Sequence, residues 1–247
     1  MQGLGSGAAV LRIWEDAAAA SPERRGSAIV ASATAQPVRE IEALPLGRRD
    51  RRLLELRRGL FGEAIEARGD CPACAAAVEA SFGVGHMLDG DAAASETIDI
   101  VHGDLRLTVC APSAGEIAAL TRQYGGDGDA DIESVRRALL QSCVVRCQTA
   151  SGKAADLPED ADAAVAAAVE TLDPLAAIAL TLTCPHCNAA FETPFDPTDF
   201  VWRELATAAN RLLWEVDQLA RAYSWPEADI LALSPTRRRA YLEIAAG

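Results

Sequence analysis

The residues with the most recognisable chemistry are two pairs of cysteines, each spaced Cys-Pro-x-Cys. They are Cys71 with Cys74, and Cys184 with Cys187. Two residues between the cysteines of a pair let the backbone turn back, so that both sulfurs face one point. Structural zinc sites take four such ligands in a tetrahedron. The sequence therefore predicts one structural zinc ion (Zn2+) held by all four thiolates, with no open position for catalysis.

The segments around each pair predict a β-hairpin with the cysteines at its tip. The two hairpins would span 67–84 and 178–194, and two such hairpins facing each other form a zinc ribbon. A stretch of 109 residues separates Cys74 from Cys184, so we expect the ribbon to carry an insertion. Metal binding would then close a long loop and stabilise the fold.

A redox pair is the alternative interpretation of a Cys-Pro-x-Cys motif. Zinc is favoured because two such pairs occur and because the chain is expected to work in a reducing compartment. His186 lies inside the second pair, but the flanking cysteines are the better ligands. Cys143 and Cys147 are four residues apart in a helix predicted over 131–148, so both would lie on one face. They would either bind a second metal or, as we favour, be small buried side chains. Cys110 has the same interpretation as a buried side chain.

Composition limits the classes of function. The 247 residues are half hydrophobic and carry a formal net charge of -13. Nucleic-acid-binding proteins usually present a basic footprint, so nucleic acid is an unfavoured partner. No apolar stretch reaches the length of about 18 residues that spans a bilayer, and the N-terminal segment lacks a signal-peptide pattern. We therefore expect a cytoplasmic protein. No phosphate-binding loop, nucleophile elbow or paired-acid motif occurs, which argues against an enzyme with a small-molecule substrate.

The remaining pattern predicts an α+β fold that is mostly α-helical. We expect a helical N-terminal region over 1–62 and a helical C-terminal region over 196–247. Between them, 63–195 would form the split zinc ribbon, and its insertion at 85–175 would contain a β-hairpin and helices. The parts are expected to form one compact unit.

Capping patterns mark three of the expected helix starts. A serine followed three residues later by glutamate, the capping-box pattern, occurs at Ser113 and at Ser224. Asp196, followed by proline, begins a long helix that would run to about Tyr223. We expect Trp214 to lie on the buried face of this helix.

Arginines are concentrated in a helix predicted over 45–60, where they alternate with leucines at helical spacing. This arginine helix either binds phosphate or an acidic partner, or is a solvated face with paired charges. The C-terminal helices, over 198–246, offer a second candidate surface for partners. The candidate partner-binding residues in the two regions are Arg48, Arg49, Arg51, Arg52, Trp202, Trp225, Arg237, Arg238 and Tyr241.

Several of these segments resemble one known family. The segment Leu-Pro-Leu-Gly-Arg-Arg-Asp-Arg at 44–51, the two cysteine pairs, and Asp173-Pro174 ahead of the second pair are similar to the baseplate hub assembly proteins of contractile phage tails and extracellular contractile injection systems. The tryptophan-, tyrosine- and leucine-rich ending at 200–242 is the most specific part of the resemblance. Ser224 stands where the pattern has glycine, and Asp217 where it has histidine.

The resemblance implies no catalysis. It implies a non-enzymatic, chaperone-like assembly factor or a minor structural component of the baseplate hub, with hub or tube-initiator proteins as partners. Such a factor would act in the bacterial cytoplasm during assembly and would then be released or retained in the particle. Two other hypotheses stay open: a zinc-ribbon regulator that binds nucleic acid, and a thiol-redox protein that uses the Cys-Pro-x-Cys pairs.

Overall fold

The computed structural model describes residues 6–89, 95–124 and 132–246. Within these ranges the fold is mixed α/β and mostly helical, with three small antiparallel sheets. The prediction of a mostly helical fold with small β-hairpins is confirmed at this level. The polar break that the sequence predicts at 125–129 lies outside the described residues.

The elements are numbered in chain order. The helices are α1 (Gly7–Ala18), α2 (Arg25–Thr34), α3 (Val38–Glu42), α4 (Leu46–Phe61), α5 (Val84–Leu88), α6 (Ala114–Tyr124), α7 (Ile132–Ser142), α8 (Asp162–Leu172), α9 (Pro197–Tyr223), α10 (Glu227–Ala232) and α11 (Pro235–Ala246). The strands are β1 (Ala64–Asp70), β2 (Ala77–Gly83), β3 (Thr97–His102), β4 (Leu105–Cys110), β5 (Val144–Thr149), β6 (Ile178–Thr183) and β7 (Ala190–Phe195).

Helices from both ends of the chain pack around one apolar core. The core joins α1, α2 and α4 to the long helix α9, and its centre contains Ile13, Ile29, Leu53 and Leu205, all fully buried. These side chains recur at helical spacing, so each helix presents one apolar face to its neighbours. Each fully buried side chain of this kind contributes about 1.5–3 kcal/mol to the free energy of unfolding. The helical bundle is therefore the rigid platform of the protein.

The two cysteine-bearing hairpins stand on this platform. Strand β1 pairs with β2, and β6 with β7, both antiparallel. At the base of the hairpins Phe82 and Phe195 meet edge to face with ring centroids 5.9 Å apart, and Phe195 meets Phe200 of α9 at 5.4 Å. Fully buried Leu54 and Ile65 complete the contact. Apolar packing thus fixes the bases of both hairpins side by side.

The insertion has its own small core. Strands β3, β4 and β5 form an antiparallel sheet, and α8 packs against β3 and β4. Leu107, Val109 and Val165 are buried between them. Backbone hydrogen bonds from Leu46 and Ala114, at 3.0 Å and 2.9 Å, attach the segment before α6 to the start of α4. The insertion is thereby anchored to the bundle.

A close approach at Gly47 joins the start of α4 to the loop before β6. The Gly47 N–H donates a buried 2.7 Å hydrogen bond to Oδ2 of Asp173. A Cβ at this position would lie 2.2 Å from Oδ1 of Asp173 and 2.7 Å from the backbone nitrogen of Ala176, so only glycine fits. Two segments that carry the family resemblance, 44–51 and 173–174, are therefore in direct contact.

The prediction of one helix over 131–148 is wrong. Helix α7 ends at Ser142, and the chain continues as strand β5, which pairs with β4. The neighbouring residues Val144 and Val145 are β-branched and favour a strand. The backbone N–H of Cys110 also donates to the carbonyl of Cys143 at 2.8 Å. Pairing with β4 therefore overrides the helical pattern.

The predicted capping residues have mixed outcomes. The capping box at Ser113 is confirmed, because Ser113 and Glu116 exchange side-chain to backbone hydrogen bonds. Asp196 is confirmed as the N-cap of α9, accepting from Thr198 N at 2.8 Å. The capping box at Ser224 is wrong, since Ser224 ends α9 in the left-handed conformation with φ +55°. That conformation favours glycine, the residue that the family pattern has there.

Candidate metal centre

The four cysteines of the two predicted pairs converge at the tips of the hairpins. All four sulfur atoms lie within 4.8 Å of one another. Across the hairpins, the sulfurs of Cys71 and Cys187 are 3.7 Å apart, as are those of Cys74 and Cys184. Disulfide sulfurs are about 2.05 Å apart, so these are free thiols. Their arrangement is compatible with one structural metal ion bound between the hairpins.

Both knuckles have the same backbone geometry. Cys71 N donates to Ala76 O and Ala75 N donates to Cys71 O; the second knuckle repeats this pattern at Cys184. The residue after the second cysteine of each pair, Ala75 or Asn188, has φ +57°. Asn tolerates this left-handed conformation better than alanine does. Asn188 is therefore a signal in the sequence for this turn, and we did not use it in the prediction. Ala75 gives no such signal.

The surroundings of the thiols differ within each knuckle. Cys71 and Cys184 are buried beside Val78, while Cys74 and Cys187 are exposed. Backbone N–H groups, first that of Cys187 and then that of His186, lower the pKa of Cys184 to about 6. At Cys74 the Ala76 backbone also lowers the pKa, but the neighbouring thiols outweigh it and raise the pKa to about 12. Several thiolates can coexist here only beside a positive charge, which a metal ion supplies.

The other cysteines lie away from this cluster. Cys143 is buried in the core of the insertion, and Cys147 on β5 packs against the same core. Neither belongs to a group of potential metal ligands among the described residues. Burial raises the pKa of Cys143 to about 11 and also raises the pKa of Cys110. Cys143 is therefore the small buried side chain that we favoured from the sequence, whereas Cys147 and Cys110 are only half-buried.

The arginine helix α4 is largely engaged within the protein. Arg49 is buried, with its Nε 2.8 Å from Oδ1 of Asp50. Arg51 donates to the carbonyl of Leu88 at 2.8 Å, and Arg52 to the side chain of Gln36 at 3.2 Å. Arg48 also has a partner. The helix is thus neither an open basic surface nor a fully solvated face.

A further arginine of α4 that we did not single out joins three elements. The Arg57 side chain is 3% exposed and donates to both oxygens of Glu204 on α9, at 2.8 Å and 2.7 Å. It also donates to the carbonyls of Gly62 and Ala64, ahead of and within β1. The only sequence signal is an arginine among leucines on the apolar face. Its role is to tie the helical bundle to the first hairpin.

The candidate residues of the C-terminal region fall into three settings. Trp202 packs at the edge of the bundle core, with the guanidinium of Arg25 over its ring at 4.4 Å. Arg238 is buried and donates to Glu215 at 2.7 Å, whereas Arg237 is exposed. The expectation that Trp214 packs in the core is wrong, because it is 57% exposed.

Trp225 and Tyr241 belong to a half-buried aromatic cluster that closes the turn after α9. Trp225 stacks on Tyr223 with ring centroids 4.7 Å apart, and Tyr241 meets Trp225 edge to face at 4.9 Å. Such pairs contribute about 0.5–1.5 kcal/mol each beyond the apolar area that they bury. The cluster therefore holds α11 against the end of α9.

Comparisons of this chain with protein-family models, with curated proteins and with solved structures find no match. Among the described residues, no helix is both long enough and apolar enough to cross a bilayer.

Proposed function

We propose that the four cysteines hold one structural zinc ion in a zinc-ribbon arrangement. The observation that carries this proposal is the spacing of the sulfurs. Zinc–sulfur bonds of about 2.3 Å in a tetrahedron place neighbouring sulfurs about 3.8 Å apart. The 3.7 Å separations of Cys71 from Cys187 and of Cys74 from Cys184 match this edge length.

The proposed zinc is structural because four thiolates leave no coordination position for a substrate. Each hairpin supplies two ligands, so the ion links β1–β2 to β6–β7 at the ends opposite their apolar bases. The link closes the long segment that contains the insertion. Because the unfolded chain has no preformed site, the free energy of metal binding adds to the free energy of unfolding.

Cobalt substitution tests the ligand set directly. Cobalt(II) bound by four thiolates in a tetrahedron has visible absorption bands that octahedral aqueous cobalt lacks. We expect these bands for the wild-type protein and weaker, shifted bands in Cys184→Ser, because one thiolate of four is replaced by an oxygen ligand. Cys143→Ser is the matched control, since Cys143 is equally buried but lies outside the cluster. A Cys184→Ser spectrum with the same band positions and intensities as wild type would refute the ligand set.

We further propose that the protein is a non-enzymatic, chaperone-like assembly factor, or a minor component, of the baseplate hub of a contractile tail or contractile injection system. Support comes from the segments that carry the family resemblance, which meet in the folded protein. Gly47 contacts Asp173, and helix α4 is joined to α9 by the ion pair between Arg57 and Glu204. These segments therefore form one connected platform that the zinc-linked hairpins extend.

Binding to purified tail proteins tests the proposed role. The full chain would be mixed separately with hub, tube-initiator and sheath proteins of contractile tails from the same source, and each mixture would be examined by size-exclusion chromatography with light scattering. We expect a complex with a hub or tube-initiator protein and none with sheath. Failure to bind any hub or tube-initiator protein would refute the proposal.

A further inference from the structure

A groove runs between the start of α1, the end of α4, and helices α9 and α11. Its volume is about 630 Å³. The floor is apolar and is formed by Val10, Leu60, Ala208, Leu212 and Pro235. We refer to it as the C-terminal groove. Its shape and apolar floor suit one face of a helix.

The C-terminal groove is positively charged in an acidic protein. Four arginines and two glutamates line it, a net charge of +2, while the chain carries -13. Both glutamates are already neutralised by buried arginines: Glu204 by Arg57, and Glu215 by Arg238. Among the described residues, the exposed Arg239 has no acidic partner within 4.0 Å.

An exposed tryptophan of α9 shares a helix face with two residues that line the same groove. Trp214 is 57% exposed and follows Arg211 by three residues and Thr207 by seven on α9. Residues at this spacing share one face of a helix, and both Arg211 and Thr207 line the groove. Tryptophan and arginine are among the residue types most enriched at the energetic centres of protein interfaces.

We propose that the C-terminal groove binds an amphipathic helix of a partner protein whose polar face is acidic. The partner's apolar residues would lie on the floor against Leu212 and Leu60. Its carboxylates would pair with Arg239, and would share Arg203 and Arg211 with the carboxylates that already pair with them. The rest of the acidic surface repels such a partner and steers it to this groove. This inference rests on the proposed function as an assembly factor, for which it names the docking surface.

The charge balance favours this occupant over nucleic acid. A phosphate backbone is bound by several uncompensated arginines or lysines in a row. Here Arg203 is paired with Asp199 and Arg211 with Glu215, and the floor between them is apolar. An apolar floor with a modest positive rim matches an acidic amphipathic helix.

Selection of peptides tests the groove without any tail protein. A display library of random 16-residue peptides would be selected on the wild-type full chain and counter-selected on Arg203→Glu/Arg239→Glu. We expect the enriched peptides to be net acidic with apolar residues at i, i+3 or i+4, and i+7. Their affinity should fall at least about tenfold in the charge-reversed variant and should also fall in Trp214→Ala.

A matched control separates the groove from general charge effects. The double variant Arg221→Glu/Arg136→Glu changes the net charge of the protein by the same amount as Arg203→Glu/Arg239→Glu. The side chain of Arg221 is 76% exposed and pairs with a carboxylate four residues earlier on α9, as does Arg203, which is 75% exposed. Arg221 lies about 27 Å further along α9 than Arg203 does. Affinity in this control should stay within about twofold of wild type.

The inference is overturned if none of the enriched peptides loses affinity for the charge-reversed variant, or if the enriched peptides are basic or neutral. Failure of the groove and failure of the proposed function remain distinguishable. A hub protein that binds wild type and Arg203→Glu/Arg239→Glu equally well would refute the groove and leave the function standing. If acidic peptides bind in a groove-dependent way but no hub protein forms a complex with the chain, the proposed function is refuted and the groove stands.

Discussion

The contact between Gly47 and Asp173 leads to a prediction in which two physical effects oppose each other. Alanine is favoured over glycine in a helix by about 1 kcal/mol at most, so Gly47→Ala would stabilise an isolated α4. In the folded protein the new Cβ would lie 2.2 Å from Oδ1 of Asp173 and 2.7 Å from the nitrogen of Ala176. Forcing such a group into a packed site costs about 1–3 kcal/mol.

The same substitution weakens the buried hydrogen bond from Gly47 to Asp173. A hydrogen bond to a charged group contributes about 1.5–3 kcal/mol. Together the two losses exceed the helix-propensity gain, and we expect Gly47→Ala to lower the free energy of unfolding by about 3 kcal/mol.

Urea unfolding followed by circular dichroism, with zinc in excess, measures this change. Gly59→Ala is the matched control: it lies in the same helix, and its added Cβ would meet nothing within 4 Å. We expect that variant to gain up to about 1 kcal/mol. If Gly47→Ala were as stable as wild type, the close approach of the loop to α4 would be refuted.

Three further changes have expected outcomes, all measurable by chemical unfolding. Arg57→Met should lower the free energy of unfolding by about 2–3 kcal/mol, because the partly exposed Glu204 and the carbonyls of Gly62 and Ala64 lose their donor; a loss below about 1 kcal/mol would contradict this role. Burial raises the pKa of Asp50 to about 7 from 3.8, so the folded protein holds this proton more tightly than the unfolded chain, and stability falls as the pH rises. Between about pH 5 and pH 7, wild type should lose about 2 kcal/mol relative to Asp50→Asn; a pH-independent difference would contradict the raised pKa. Ser224→Gly should gain up to about 1 kcal/mol, since φ is +55° there; a loss would show that the serine side chain has a role of its own.

Local signals in the sequence predicted the parts of the fold that depend on neighbouring residues. The Cys-Pro-x-Cys spacing fixes the turn of each knuckle, and the cap at Asp196 fixes the start of α9; both are present in the structure. The four candidate metal ligands were predictable because their number and spacing match what one metal ion requires.

The missed features depend on residues that are distant in the chain. Strand β5 forms because β4 offers it a partner, and no pattern within 131–148 shows that partner. Trp214 was expected in the core because it is large and apolar, yet α9 buries Leu212 and Leu219 on its packed face and leaves Trp214 outside. Helical spacing shows which residues share a face, but not which face meets the other helices.

Metal content tests the central claim most directly. Purified full chain would be analysed by plasma mass spectrometry, and its thermal unfolding would be followed with and without a strong chelator. The four-thiolate centre predicts about one zinc ion per chain and a large loss of thermal stability on chelation. A metal-free protein whose melting temperature is indifferent to the chelator would contradict it.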